Sequence, residues 1–227
     1  MNALLNAHNQ REHDDSLRSG LTSLALPEAY SSHTGVSSDY IPKPDHHWFV
    51  LRVVYNRVSQ AYGIINNAKV RAYMPMHYVM AKEIGKKKRI LSPLLPNLFF
   101  VYTTREQANA LVHRQGNEPS IVKFYLDKTK ARESNGKHPP LIIPVDSMTS
   151  FIRATSTESE HVRIVSAEQC HYKDGDIVRV TKGEFEGVVG KVARIAGQQR
   201  VVVEISGLCL VATAYIPNAF LEKIYQR

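Results

Sequence analysis

Leu98-Phe99-Phe100-Val101-Tyr102 constrains this chain more than any other stretch. Five large apolar residues in a row follow a Pro96-Asn97 turn. Side chains alternate along a strand, so Leu98, Phe100 and Tyr102 face one way, and Phe99 and Val101 the other. A half-buried antiparallel strand shows one polar face, and this one has none. Either both faces are covered within the domain, or one is left as an apolar site for a partner. A Trp-led strand, Trp48 to Tyr55, precedes it, and Asp176-Ile177-Val178-Arg179-Val180 follows with a glycine-spaced turn.

The surrounding pattern divides the chain. Residues 1–45 are polar, without sustained periodicity, and are expected to form a mostly disordered tail; only Leu17, Leu21 and Leu24 suggest a transient helical turn. Residues 46–157 read as an α+β domain. Trp48–Tyr55 is its first strand and a helix follows with Asn56 as N-cap. A second strand spans Val70 to Val79, and a third is centred on Leu98–Thr103. Thr103 and Glu106 have capping-box spacing and open a helix that Gly116 ends. Ser120–Leu126 reads as another strand, Lys128–Pro140 as a polar loop, and Pro144-Val145-Asp146 as the start of a third helix. Residues 158–165 form a polar linker. From 166 to 227 the period drops to two, with short strands over Ile177–Val180, Val188–Ile195, Arg200–Ile205 and Leu208–Ala212. Turns at Gly183, Gly187, Gly197 and Gly207 complete the pattern of a small closed barrel.

Charge is unevenly spread over these segments. The whole chain carries +8. Residues 46–160 hold 17 Lys and Arg against 8 Asp and Glu, a net +9, whereas residues 161–227 hold 9 against 7, a net +2. The first 45 hold 3 against 6, a net −3. A basic first domain fits either a polyanionic neighbour or simply a solvated surface. Its sharpest feature is Lys86-Lys87-Lys88-Arg89, read as a turn or loop tip that either sits against phosphates or is only a solvated loop. No apolar run approaches the roughly 18 residues of a membrane span, and no signal-peptide pattern opens the chain, which reads as cytoplasmic. Cys170 and Cys209 make no disulfide framework.

Catalytic signals are missing. No phosphate-binding glycine loop, nucleophile elbow, paired carboxylates or metal-ligand spacing occurs, so no cofactor or metal is expected. Cys170-His171 and His46-His47 stand isolated. Tyr62, Tyr73, Tyr78 and Tyr102 fit a core better than a base-stacking platform. Phe185, in Gly183-Glu184-Phe185-Glu186-Gly187, reads as small-barrel core first and as a rim contact second.

In this order the pieces resemble the NusG family of transcription elongation factors. The Trp48 strand, Pro96-Asn97-Leu98-Phe99-Phe100-Val101, Ile121-Val122-Lys123-Phe124 and Pro139-Pro140-Leu141 are similar to the family's N-terminal (NGN) domain. Gly175 through Val180, with Gly187 through Val192, is similar to its KOW domain, an SH3-like barrel. Pro-Asn before the strand and the long N-terminal extension resemble specialised paralogues of the RfaH and UpxY type, the latter associated with capsular polysaccharide operons. The resemblance implies a non-enzymatic antitermination and elongation factor. Trp48, Pro96, Asn97, Leu98, Phe99 and Phe100 would dock on the clamp helices of the RNA polymerase β′ subunit. Lys86, Lys87, Lys88 and Arg89 would lie near non-template DNA or nascent RNA. The KOW domain, through Phe185 and Glu186, would recruit a ribosomal protein or Rho. RfaH carries a His-Thr-Thr stretch on its second helix that touches the β subunit; here that region reads Ala108-Asn109-Ala110-Leu111-Val112-His113, which leaves the β contact open. The competing class is a KOW-type RNA-binding or ribosome-associated protein, which the modest charge of residues 161–227 disfavours.

Some relatives hold the C-terminal domain as a helical hairpin. Six glycines within it, each costing a helix about 1 kcal/mol relative to alanine, together with Val201-Val202-Val203, predict a permanent barrel and an open polymerase site.

Overall fold

The computed structural model describes residues 42–83, 86–113, 120–157 and 159–225. The first sheet has the order β2 (Arg71–Tyr73), β5 (Leu98–Thr104), β1 (His46–Val53), β6 (Val122–Phe124), with β7 (Ile142–Ile143) also pairing β1. Its central pair is antiparallel, with Trp48 opposite Tyr102, Val50 opposite Phe100 and Leu51 opposite Phe99. Three helices accompany it: α1 (Val58–Asn67), α2 (Arg105–Val112) and α3 (Val145–Thr155). β3 (Met76–Glu83) and β4 (Lys86–Pro93) form a separate two-stranded ribbon. The second sheet is wholly antiparallel, in the order β13 (Leu221–Lys223), β9 (His171–Val180), β10 (Val189–Ile195), β11 (Gln198–Ile205), β12 (Cys209–Tyr215), β8 (Arg163–Val165). The fold is thus an α+β NGN-type region followed by an all-antiparallel KOW-type sheet.

Both faces of β5 are covered. Phe99 and Val101 join Phe49 and Leu51 against Ala61 and Ile65 of α1 and Ala108 and Leu111 of α2. Phe100 and Tyr102, with Trp48 and Val50, join a second cluster that contains Met148, Phe151 and Ile152 of α3. That cluster continues without a break into Val178, Val180, Val201 and Val203 of the second sheet. Helix α3 is therefore shared: it touches β1 on one side and β10, β11 and β12 on the other. Seven of its eleven residues are buried, more than the stripe of a surface helix requires.

Several details depart from the sequence reading. The second strand is two, β2 and β3, parted at Met74-Pro75 because proline cannot donate to a ladder. The N-cap of α1 is Arg57, since Asn56 takes a left-handed φ of 54°. The cap of α2 is Thr104, whose hydroxyl accepts from the Gln107 N–H; Thr103 Oγ1 instead donates to the Gln107 side chain. Gly116 lies outside the described residues. Lys86-Lys87-Lys88-Arg89 is not a loop tip but the start of β4, with Lys87 opposite Lys82 and Arg89 opposite Met80. Backbone pairing with β3 carries the strand through the charged run, which composition alone does not reveal. The end of the expected linker is also strand: Arg163–Val165 pairs with β12 as β8. Buried Arg200 secures the approach to it, donating from Nη1 to the Thr213 carbonyl at 2.6 Å and to the His161 carbonyl at 3.1 Å.

Candidate functional site

The first sheet places the predicted polymerase-contact residues at two depths. Trp48, Leu98, Phe99 and Phe100 are buried, the first three apolar rings or chains at 1%, 8% and 0% exposure and Phe100 at 0%. The expectation of an open apolar site is therefore corrected. The face carrying Trp48, Leu98 and Phe100 is closed by α3 and the second sheet, and Phe99 belongs to the opposite face, under α1 and α2. An aromatic chain marks the closure: Trp48 packs on Tyr102 at 5.2 Å between ring centroids, and Phe100 on Phe151 of α3 at 5.1 Å. Tyr73 stands edge-on to Phe151 at 6.3 Å and shares a 2.6 Å hydrogen bond with Thr155 at the end of the same helix.

Pro96 and Asn97 remain at the surface. Proline followed by a residue of positive φ is a type II turn pattern, and Asn97 has φ 60°. Its carbonyl accepts from Val53 N–H at 2.8 Å, which ties the turn to the end of β1. Around this turn Arg52, Tyr55, Leu98 and Tyr125 line a shallow depression of about 490 Å³. Tyr55 is 73% exposed, and both it and Asn56 are left-handed, at φ 59° and 54°. Two consecutive non-glycine residues there store backbone strain that packing elsewhere must offset. Sequence reasoning missed Arg52 and Tyr55. Tyr55 reads in sequence as the end of an apolar strand, but β1 ends at Val53 and Tyr55 lies in the turn after it; nothing in the pattern separates an aromatic that turns outward from one that turns in.

The ribbon β3–β4 brings Lys82 and the run Lys86 to Arg89 into one two-stranded element. In the second sheet Phe185 is 5% exposed within the shared cluster, as its core reading required, while Glu186 is exposed. The turn holding them is built on Gly183 and Gly187, both of positive φ. Gly187 also meets α3: its carbonyl accepts from Arg153 Nη1 at 2.9 Å, and a Cβ there would stand 2.6 Å from that nitrogen. Beside it Val189 N–H donates to Ser150 Oγ at 3.3 Å. A second junction joins the Gly207 turn to the loop after β6, where a Cβ on Gly207 would lie 3.3 Å from Asp127 Oδ1.

Burial pushes the Cys209 thiol up to about 12, and it also raises the Cys170 thiol, so neither is a ready thiolate nucleophile. Hydrogen bonds from the Thr129 hydroxyl, chiefly, hold the Asp127 carboxyl below its ordinary value. Among the described residues, no three His, Cys, Asp or Glu side chains are grouped to hold a metal. No helix among them is long and apolar enough to cross a membrane.

Residues 46–152 match the family model NusG, described as "Transcription termination factor nusG". No curated protein matches the chain. The matched span runs from the first strand into α3, so it ends inside the helix that both sheets share. Through residues 46–152, a little under half of its length, the chain is similar to the NusG family.

Proposed function

We propose that this protein is an antitermination factor, a specialised paralogue of the RfaH and UpxY type, which binds the β′ clamp helices of RNA polymerase and suppresses pausing and early termination. The supporting observation is the NusG-family domain at 46–152, whose Pro96-Asn97 turn stands at the surface beside Arg52 and Tyr55. Docking begins at this sheet end. Trp48, Leu98, Phe99 and Phe100 act from beneath it, by holding the turn in place and, once α3 and the second sheet shift, by offering the apolar face bearing Trp48 and Phe100. A factor that binds one clamp state more tightly than the other shifts the polymerase toward it by that difference in affinity. Lys86, Lys87, Lys88 and Arg89 run along non-template DNA or nascent RNA, where neutralised phosphates release counterions. The C-terminal domain, with Phe185 and Glu186, takes a ribosomal protein or Rho. The protein acts in the cytoplasm on long transcripts such as capsular or exopolysaccharide operons.

The test is transcription of a long 5′ leader with and without the protein, counting promoter-proximal and promoter-distal RNA separately. Antitermination raises distal RNA at constant proximal RNA. A rise in both places the action at initiation, and a fall in distal RNA makes the protein a termination factor. The housekeeping NusG competes for the same surface, so the gain must decline as its concentration rises. RNA affinity confined to residues 161–227, without polymerase binding, would replace this reading with that of a KOW-type RNA-binding protein.

A further inference from the structure

Between α3 and the second sheet lies a groove of about 870 Å³. Val145, Ile177, Val189 and Ile224 line it and are only partly buried, so an apolar strip is left open to water. Arg153, Arg179 and Lys191 stand along it, against Asp146 and Glu204, and Lys191 pairs with Glu204 at 3.4 Å. Pro42, the first described residue, is part of its wall. The chain thus enters the fold at the groove, with 41 residues preceding it.

We propose that the groove is the docking site of this chain's own N-terminal segment, anchored by Leu17, Leu21 and Leu24. Those leucines have the i, i+4, i+7 spacing of helix-in-groove anchors. The segment is acidic: residues 1–41 hold 5 Asp and Glu against 2 Arg, while residues 42–227 hold 27 Lys and Arg against 16 Asp and Glu. The opposite signs, −3 and +11, favour association of tail and body, and Glu12, Asp14 and Asp15 precede the leucines in sequence. Reach is sufficient. A flexible link from Leu24 to Pro42 has a root-mean-square span of about 23 Å. Tethering makes the docking intramolecular, with an effective concentration on the order of millimolar, so even a weak apolar contact is populated. A seated tail covers the open strip and bridges α3 to β9 and β10.

The test uses the full chain with Leu21→p-benzoylphenylalanine, and separately Leu24→p-benzoylphenylalanine, irradiated as an equal mixture of isotope-labelled and unlabelled protein. Crosslinked peptides are mapped by mass spectrometry. The expected products join tail and groove of the same chain, on peptides holding Ile177–Arg179, Val189–Lys191 or Ile224. The pair R179E/I224E, at partly or fully exposed positions, is expected to lower their yield by about fivefold, the scale of losing an anchor contact. Mixed-isotope products on those peptides would assign the groove to a second copy and overturn the proposal. Products located elsewhere at both probe positions, or a yield indifferent to R179E/I224E, overturn it as well.

Discussion

Strands β5 and β11 sit at the centres of their sheets, and both are buried on two faces, yet they are supported unequally. Each gives one face to the shared cluster around α3: Phe100 and Tyr102 from β5, Val201 and Val203 from β11. Each gives the other face to a cluster of its own. For β5 that cluster has fourteen buried residues, with Phe49, Leu51, Phe99 and Ile65 among them. For β11 it has six, none larger than Ile195. Buried apolar area is the main source of stability, so the first sheet holds most of what it needs under α1 and α2. The second sheet leans on α3. The NGN-type region is the frame, and the KOW-type sheet is fitted to it through a helix in which the family match ends.

The largest test of this inequality is Phe151→Ala. Removing a fully buried phenylalanine costs about 3–5 kcal/mol, and Phe151 packs on both Phe100 and Tyr73. Trp48 is the single tryptophan and reports the first sheet. In the wild type, denaturation followed by Trp48 fluorescence and by far-UV circular dichroism is expected to coincide. In Phe151→Ala the curves should separate, the second sheet melting first. Coincident curves in the variant would show that the two regions do not differ as argued.

Gly190→Ala breaks the comparison from the other side. An added Cβ would stand 2.4 Å from the Val202 carbonyl oxygen and 2.8 Å from Val201 Cγ1, so backbone must move. Overpacking of this kind costs about 1–3 kcal/mol. It should lower the circular-dichroism midpoint and leave the Trp48 transition near its place. Arg153→Ala comes next. It removes the bond to the Gly187 carbonyl, worth about 1 kcal/mol, and should loosen the junction while each sheet keeps its own stability. Faster hydrogen exchange at the Val189 amide, without a change at Phe99, is the expected reading.

How far the sequence speaks follows from the same inequality. The KOW-type strands were readable because their period of two is punctuated by Gly183, Gly187, Gly197 and Gly207, all of positive φ in the structure. The helices were readable from their apolar stripes, α3 most of all, from Pro144 onward. The doubly apolar β5 signalled that both faces needed cover or a partner, but could not say which. What covers the second face is α3 with a sheet begun by β8, some sixty residues later in the chain. Long-range cover leaves no local trace, and Trp48, Leu98 and Phe100 therefore read as an open face when they are covered. Lys86 to Arg89 failed for the opposite reason: a strand held by backbone pairing at the ribbon has no apolar pattern to show.

A smaller effect is expected with pH. The Thr129 hydroxyl, above all, with help from the Thr129 amide and Lys130, keeps the Asp127 carboxyl below its ordinary value. Its folded-state pKa is depressed, so its contribution is present above about pH 3.9, the unfolded value, and is lost as pH falls through the folded value. Lys130 is largely exposed, which limits the ion pair to a few tenths of a kcal/mol. Asp127 faces the Gly207 turn, so the loss falls on the second junction. Asp127→Asn should remove that part of the acid dependence and leave the remainder of the profile unchanged.

The smallest expected change in stability belongs to Asn97→Gly, and it separates structure from function at the sheet end. Asn97 holds φ 60°, a conformation glycine adopts without steric cost, while glycine adds freedom to the unfolded chain. The two effects oppose each other, so stability should move by less than about 1 kcal/mol. The turn keeps its shape, because the bond it makes to Val53 N–H comes from the Asn97 carbonyl and not from its side chain. Polymerase affinity should nonetheless fall if the Asn97 amide is read by the clamp helices. Tyr55→Ala, at the most exposed aromatic of the same depression, should act in the same direction with a larger loss. Binding of both full-length variants to RNA polymerase, measured beside their unfolding curves, decides the matter. Unchanged affinity in both would remove the sheet end from the docking surface and leave the apolar face under α3, opened by release of the second sheet, as the place where the polymerase binds.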